Sequence, residues 1–235
     1  MMGWWETFFP TPTCCLCGSP YRAPGWAPIW KRICSPCIER LFPIRGEVCP
    51  RCGRPQSIRG HCSDCQRMVQ TFLEANRSSL SYRSYTRESI HLFKFRGKVS
   101  LATPFAEMMT LTLVQAKWHI DRITYVPLHA TRLTERGFNQ AELLARLVAR
   151  RLRIPLVHCL ERRVVTPFQS HQGRRARQQT LIDAFVLKSG LERDVADKCW
   201  LLVDDVYTTG ATLQECASLL KKAGATKVYS LTLAR

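Results

Sequence analysis

The chain of 235 residues has no run of 18 or more apolar residues, so it offers no candidate for a membrane span. Its opening residues, Met1-Met2-Gly3-Trp4-Trp5-Glu6, lack the basic start and long apolar stretch of a secretory signal, and a cytoplasmic protein is expected. Acidic residues are scarce: 18 Asp and Glu stand against 35 Lys and Arg, a formal net charge of +17. Such a balance suits a polyanionic partner, either nucleic acid or a phosphate-rich small ligand. No internal repeat or low-complexity tract stands out. Cysteine is rare after Cys65, where only Cys159, Cys199 and Cys216 follow, each in or beside an apolar segment and read as core.

The other nine of the 12 cysteines crowd between Cys14 and Cys65. In a reducing compartment, Cys-x-x-Cys spacing points to metal rather than to disulfides. The pairs are Cys14/Cys17, Cys34/Cys37, Cys49/Cys52 and Cys62/Cys65. Two thiolates from one tight turn can face one cation, and two such turns complete a tetrahedron. Gly18 and Gly53 follow the first and third pairs, where a residue without a Cβ eases the turn. The surrounding sequence is rich in Pro, Gly and Trp and has no sustained apolar period, so it needs an external staple. Two structural zinc ions in residues 1–70 are therefore expected, in closed four-thiolate sites with no open position for catalysis. Sequential pairing is favoured, one ion on the first four cysteines and one on the last four; interleaved pairing stays open. Thioredoxin-type redox chemistry wants its motif between a strand and a helix, which is not the context here. Cys15 is left over. Changing Cys34 to Ser is expected to unfold this module before the rest.

After about Arg67 the pattern becomes α/β. Ser79–Tyr85, Arg122–Pro127, Pro155–Cys159, Asp183–Leu187, Trp200–Val203 and Lys227–Leu233 read as strands. Glu88–Phe95, Leu101–Trp118, Gln140–Leu152 and Leu213–Lys222 carry helical spacing, and 128–138 reads as a polar loop. Strands alternating with helices predict a doubly wound parallel sheet over residues 77–235.

The most informative run is Leu201-Leu202-Val203-Asp204-Asp205-Val206-Tyr207-Thr208-Thr209-Gly210-Ala211-Thr212. An apolar strand ends in two acids, then turns through hydroxyls and glycine into a helix. The backbone N–H groups of Thr208, Thr209, Gly210, Ala211 and Thr212 would converge on one anion at the helix's positive end. Asp204 and Asp205 suit the vicinal hydroxyls of a ribose and are the candidate catalytic residues. A Walker loop is excluded, because Gly-Lys-Thr is missing and the acids come first. The run resembles the phosphoribosyl pyrophosphate (PRPP) loop of type I phosphoribosyltransferases. In that family the loop after the strand ending at Pro127 holds the diphosphate. Arg132 and Arg136 are the candidates there, since guanidinium matches phosphate oxygens bidentately; the plain alternative is a solvated loop capped by Asn139.

The zinc pairs, Phe93-Lys94-Phe95-Arg96-Gly97, Arg136-Gly137-Phe138-Asn139-Gln140 and the Asp-Asp…Thr-Thr-Gly-x-Thr loop together resemble the ComF family of bacterial competence proteins. That resemblance implies a double zinc ribbon ahead of a type I phosphoribosyltransferase fold. It also implies PRPP bound with Mg²⁺, a role in DNA uptake during natural transformation, and the competence helicase ComFA as a partner. Between Arg150 and Thr180 stand eight arginines and one acid, Glu161. A groove lined this way suits single-stranded DNA, with Arg162, Arg163, Arg174, Arg175 and Arg177 as the candidate contacts; a solvated charge run is the alternative. Two readings follow: a competence protein that binds zinc, PRPP and single-stranded DNA, or an active phosphoribosyltransferase. The sequence names no acceptor.

Overall fold

The computed structural model describes residues 13–21, 33–68, 70–163 and 184–235. Four parallel strands form the central sheet in the order β1-β6-β5-β2: β1 (Ala75–Leu80), β2 (Arg122–Tyr125), β5 (Cys199–Val206) and β6 (Lys227–Ala234). In the middle of β5, Trp200, Leu201, Leu202 and Val203 are all fully buried, as a parallel strand covered on both faces requires. Successive residues face opposite ways. Leu201 and Val203 pack with α3 (Ser84–Phe95), α4 (Ala102–Ala116) and α6 (Gln140–Leu152). Trp200 and Leu202 pack with Val195 of α7 (Glu192–Val195), with α8 (Ala211–Lys222) and with an antiparallel hairpin of β3 (Leu160–Arg162) and β4 (Phe185–Leu187). The expected doubly wound parallel sheet is the one found.

The cysteine-rich residues are built into these cores. Cys14, Cys34 and Cys37, with α1 (Ser35–Arg40), join the core under α3, α4 and α6. Cys49, Cys52, Cys62 and Cys65, with α2 (Ser63–Gln66), join the core under α8. The chain between the two groups crosses the outer edge of β1. Ile44 N–H donates to Ser79 C=O (2.9 Å), Ser81 N–H to Phe42 C=O (2.9 Å) and Asn76 N–H to Arg51 C=O (2.6 Å). An open sheet edge is thereby covered.

Several elements differ from the sequence reading. β1 ends at Leu80, and Ser84 and Tyr85 already belong to α3. Its buried residues include Asn76, Ser78 and Ser79, which hide it from an apolar pattern. They are satisfied sideways: Ser230 Oγ donates to Asn76 Oδ1 (2.9 Å), Ser78 and Thr232 share a hydroxyl bond (2.6 Å), and Ser79 pairs with Thr112 (2.9 Å). The polar stretch 128–138 contains a helix, α5 (Ala130–Arg136), that buries no side chain and so has no period to read. Within Pro155–Cys159, only Leu156 bridges to Ile123 of β2. Residues 164–183, which include Arg174, Arg175 and Arg177, lie outside the described residues.

Candidate functional site

The two cysteine groups use one device twice. Cys14 to Cys17 turn through Gly18 at φ 74°, flanked by a Thr13–Pro20 bridge; Cys49 to Cys52 turn through Gly53 at φ 70°, flanked by Val48–Pro55. Cys34 then caps α1 and Cys62 caps α2. In each group, Cys14/Cys17/Cys34/Cys37 and Cys49/Cys52/Cys62/Cys65, all four sulfurs lie within 4.8 Å of one another. Cys17 and Cys34 sulfurs are 3.8 Å apart, and Cys52 and Cys62 sulfurs 3.6 Å. A tetrahedron with zinc–sulfur bonds of about 2.3 Å has edges of about 3.8 Å. The residues fit zinc, and the grouping is sequential. Backbone N–H groups of Cys34 and Cys62 reach Cys14 and Cys49 sulfurs at 3.4 Å, and Tyr85 Oη donates to Cys37 Sγ at 3.1 Å. Such outer donors orient the thiolates. The sequence therefore does hold a repeat, Cys-x-x-Cys-Gly-x-Pro followed by Cys-Ser-x-Cys, obscured by unequal separations.

At the carboxyl end of β5, Asp204 and Asp205 lead through 207–210 into α8. Gly210 caps that helix at φ 82°, and a Cβ there would overlap Tyr207 Oη. Only glycine fits. Asp205 N–H donates to Asp204 Oδ1 (2.8 Å), and Thr209 Oγ1 accepts from Ala211 N–H (3.3 Å). Asp205 pairs with Lys94 at 2.6 Å, with only 14% and 20% of the two side chains exposed. Burial, then the Asp205 charge, pushes the Asp204 carboxyl up to about 7, against the pull of Lys94 and Arg162.

Basic groups close the site. Arg136 ends α5 with its guanidinium 4.6 Å from the Phe95 ring centre. Burial and the neighbouring Arg132 push its pKa down, while Asp205 opposes them. Arg162, on β3, lies 5.3 Å from the Phe185 ring centre. Burial, then Arg132, lowers its pKa, with Asp204 among the groups opposing. The structure thus gathers Asp204, Asp205, Arg132, Arg136 and Arg162 at one place. Arg163 is exposed beside them, with its N–H on Ala184 C=O (2.9 Å). Arg174, Arg175 and Arg177 lie outside the described residues.

Two family descriptions match the chain: a double zinc ribbon domain over residues 4–66 and a phosphoribosyl transferase domain over residues 139–235. The competence protein ComFC of Bacillus subtilis is 32% identical over 237 residues, covering 94% of each chain. This chain belongs to the ComF family. The DNA utilization protein YhgH of Salmonella typhi is 34% identical across 94% of this chain and 96% of its own. ComFC of Streptococcus pneumoniae is 30% identical, covering 86% and 87%.

The residues that carried the ComF resemblance have distinct physical tasks. In Phe93-Lys94-Phe95, Phe93 is fully buried against Phe105 and Phe138, Lys94 neutralises Asp205, and exposed Phe95 lies under Arg136. In Arg136-Gly137-Phe138-Asn139-Gln140, Gly137 takes the left-handed conformation that ends α5. Asn139 Oδ1 caps α6 by accepting from Ala141 N–H (2.9 Å) and Glu142 N–H (3.4 Å), and its Nδ2 donates to Val126 C=O (3.1 Å). Gln140 Oε1 accepts from Arg136 at 3.4 Å and its Nε2 donates to Lys94 C=O at 3.5 Å, tying both motifs together. Sequence reasoning held Lys94 in a helical stretch and in the Phe93–Gly97 motif, but gave it no place in the site. A cation between two phenylalanines near a helix end was the available signal.

Proposed function

We propose that this ComF-family chain serves DNA uptake in natural transformation, in the cytoplasm, by binding PRPP with Mg²⁺ and by handling single-stranded DNA. The observation that carries the PRPP reading is the Lys94–Asp205 pair at 2.6 Å beside Asp204, at the mouth of the glycine-headed loop. In this reading Asp204 and Asp205 take the ribose hydroxyls, while the N–H groups and hydroxyls of 208–212 receive its 5′-phosphate. Arg132 and Arg136 receive the diphosphate. Magnesium supplies neutralisation of the diphosphate charge when bound with it. The ComFC names of the relatives support the uptake role, and a helicase of the ComFA kind is the proposed partner.

Calorimetry of zinc-loaded protein with PRPP and Mg²⁺ tests this. Binding is expected in the parent, weaker binding of ribose 5-phosphate, and a loss of tenfold or more in Asp205→Asn. Unchanged affinity in that variant removes Asp205 from the site. Diphosphate release in the presence of candidate acceptors marks a transferase, and its absence marks a binding protein.

The single-strand reading rests on the +17 charge and on exposed Arg163 next to the pocket. Phosphate contacts release counterions, so affinity should fall with salt at a log–log slope of about −0.7 per contact. Replacing Arg174, Arg175 and Arg177 together by Ala should flatten that slope by about two. A triple variant that binds single strands as tightly as the parent at every salt concentration makes the run a solvated face.

A further inference from the structure

We propose that the second zinc ribbon holds the phosphate loop in shape, and that Arg235 is the positioning residue through which it does so. The functional meaning of this link rests on reading 208–212 as the phosphate cradle, but its geometry does not. Arg235 Nη1 donates to the backbone carbonyl of Cys52 at 2.5 Å. The same guanidinium lies 4.5 Å from the centre of the Tyr207 ring. Tyr207 is buried, and its hydroxyl fills the space where any side chain at Gly210 would go. The ring is therefore the floor of the turn that leads into α8.

The Cys52 carbonyl is a fixed point for two reasons. Cys52 contributes its sulfur to the second four-cysteine group. Its knuckle is also pressed against β1: a Cβ on Gly53 would stand 2.7 Å from Asn76 O, and Asn76 Nδ2 donates to the Cys52 carbonyl at 3.1 Å. On the other side of the turn, Gln214 Oε1 accepts from Phe72 N–H (2.8 Å) and its Nε2 donates to Thr71 Oγ1 (2.6 Å). Residues 71 and 72 follow closely on the second ribbon. The turn is thus tied at both ends to chain that the second metal site organises. Preorganisation matters here because an anion cradle of backbone N–H groups works only if those groups converge before the anion arrives.

Arg235→Ala removes the side-chain link and leaves the Arg235 backbone bonds, N–H to Leu80 C=O (2.9 Å) and C=O from Tyr82 N–H (2.6 Å), untouched. Amide hydrogen exchange on the full-length, zinc-loaded, ligand-free protein reads the effect. Exchange at Tyr207 and Ala211, whose N–H groups donate to Ala234 C=O (2.9 Å) and Thr209 Oγ1 (3.3 Å) at the two ends of the turn, should rise tenfold or more, with the β5 and β6 amides unchanged and two zinc ions retained. Arg235→Lys should not restore protection, because an ammonium cannot stack on the ring and donate sideways as a planar guanidinium does. It also serves if the alanine variant fails to fold. Parent-like exchange at both amides, or a rise spread equally through β5 and β6, in whichever variant folds, overturns the proposal. Inorganic phosphate titrated into parent and variant adds the functional arm, with a tenfold weaker affinity expected in the variant. A parent that binds neither phosphate nor PRPP sinks the ligand reading, while the exchange result still decides the structural link.

Discussion

Asp205 and Lys94 form an ion pair that neither could leave cheaply, since both side chains are largely removed from water. Losing one partner of a fully buried pair costs about 3–5 kcal/mol. Lys94→Ala is expected to cost about 2–3 kcal/mol, because some exposure remains, and urea titration would show it. In an Asp205→Asn background the same change should cost far less, a coupling that a double-mutant cycle measures. Asp204 carries the opposite strain. Its folded pKa, about 7, lies above the ordinary carboxylate value of 3.8, so the folded state holds that proton more tightly than the unfolded chain. This contribution to stability is present at low pH, falls between about pH 4 and 7, and is fully lost above it. Asp204→Asn should therefore raise the melting temperature of unliganded protein at pH 8 and do little at pH 4, while abolishing PRPP binding. A variant with equal effects at both pH values contradicts this picture. The acids were legible in the sequence because two carboxylates before Thr-Thr-Gly have few uses. Lys94 was not, since its partner lies 111 positions away, and Tyr207 was not, since its task shows only once Gly210 and Arg235 are folded against its ring.

Among elements, α6 was legible in full. Ala141, Leu144, Ala145, Val148 and Ala149 make one buried stripe, and Asn139 caps its start. Asn139 does more than cap, because its Nδ2 also fastens the helix to the end of β2. Asn139→Ala should cost about 1–2 kcal/mol from the lost cap and shift neighbouring α5 with its arginines, so PRPP affinity should fall further than stability does. Asn139→Asp keeps the cap and loses the Val126 bond, which separates the two tasks. The sequence reading put this strand too late, at Ser79–Tyr85, because three buried positions of β1 are hydroxyls and an amide, paired with β6 and α4 instead of packed as hydrocarbon. α5 escaped because a seven-residue helix without a buried side chain leaves no periodic trace.

At the scale of the whole molecule, the zinc ribbons pack on opposite faces of the sheet and the chain between them seals its β1 edge. Spacing alone pointed to two metal sites, but not to cysteines that share cores with the sheet. A module with its own core would unfold first; this one draws Phe93 and Leu101 into one site's surroundings and Tyr207 and Leu213 into the other's. Cys34→Ser should accordingly lower the stability of the whole chain in one cooperative transition, seen by calorimetry, with a fall in bound zinc. Two separated transitions would restore the picture of an independent module. Among the described residues, no helix is long and apolar enough to cross a membrane. The acid pair, the glycine-headed loop and the α5 arginines are proposed as one PRPP site on a zinc-clamped sheet. A crystal structure of the zinc-loaded chain with PRPP and Mg²⁺ decides whether they are. It should show the 5′-phosphate on the N–H groups of 208–212, the ribose hydroxyls on Asp204 and Asp205, and the diphosphate beside Arg132 and Arg136. A ligand bound elsewhere, with the 208–212 loop empty, would contradict the proposal.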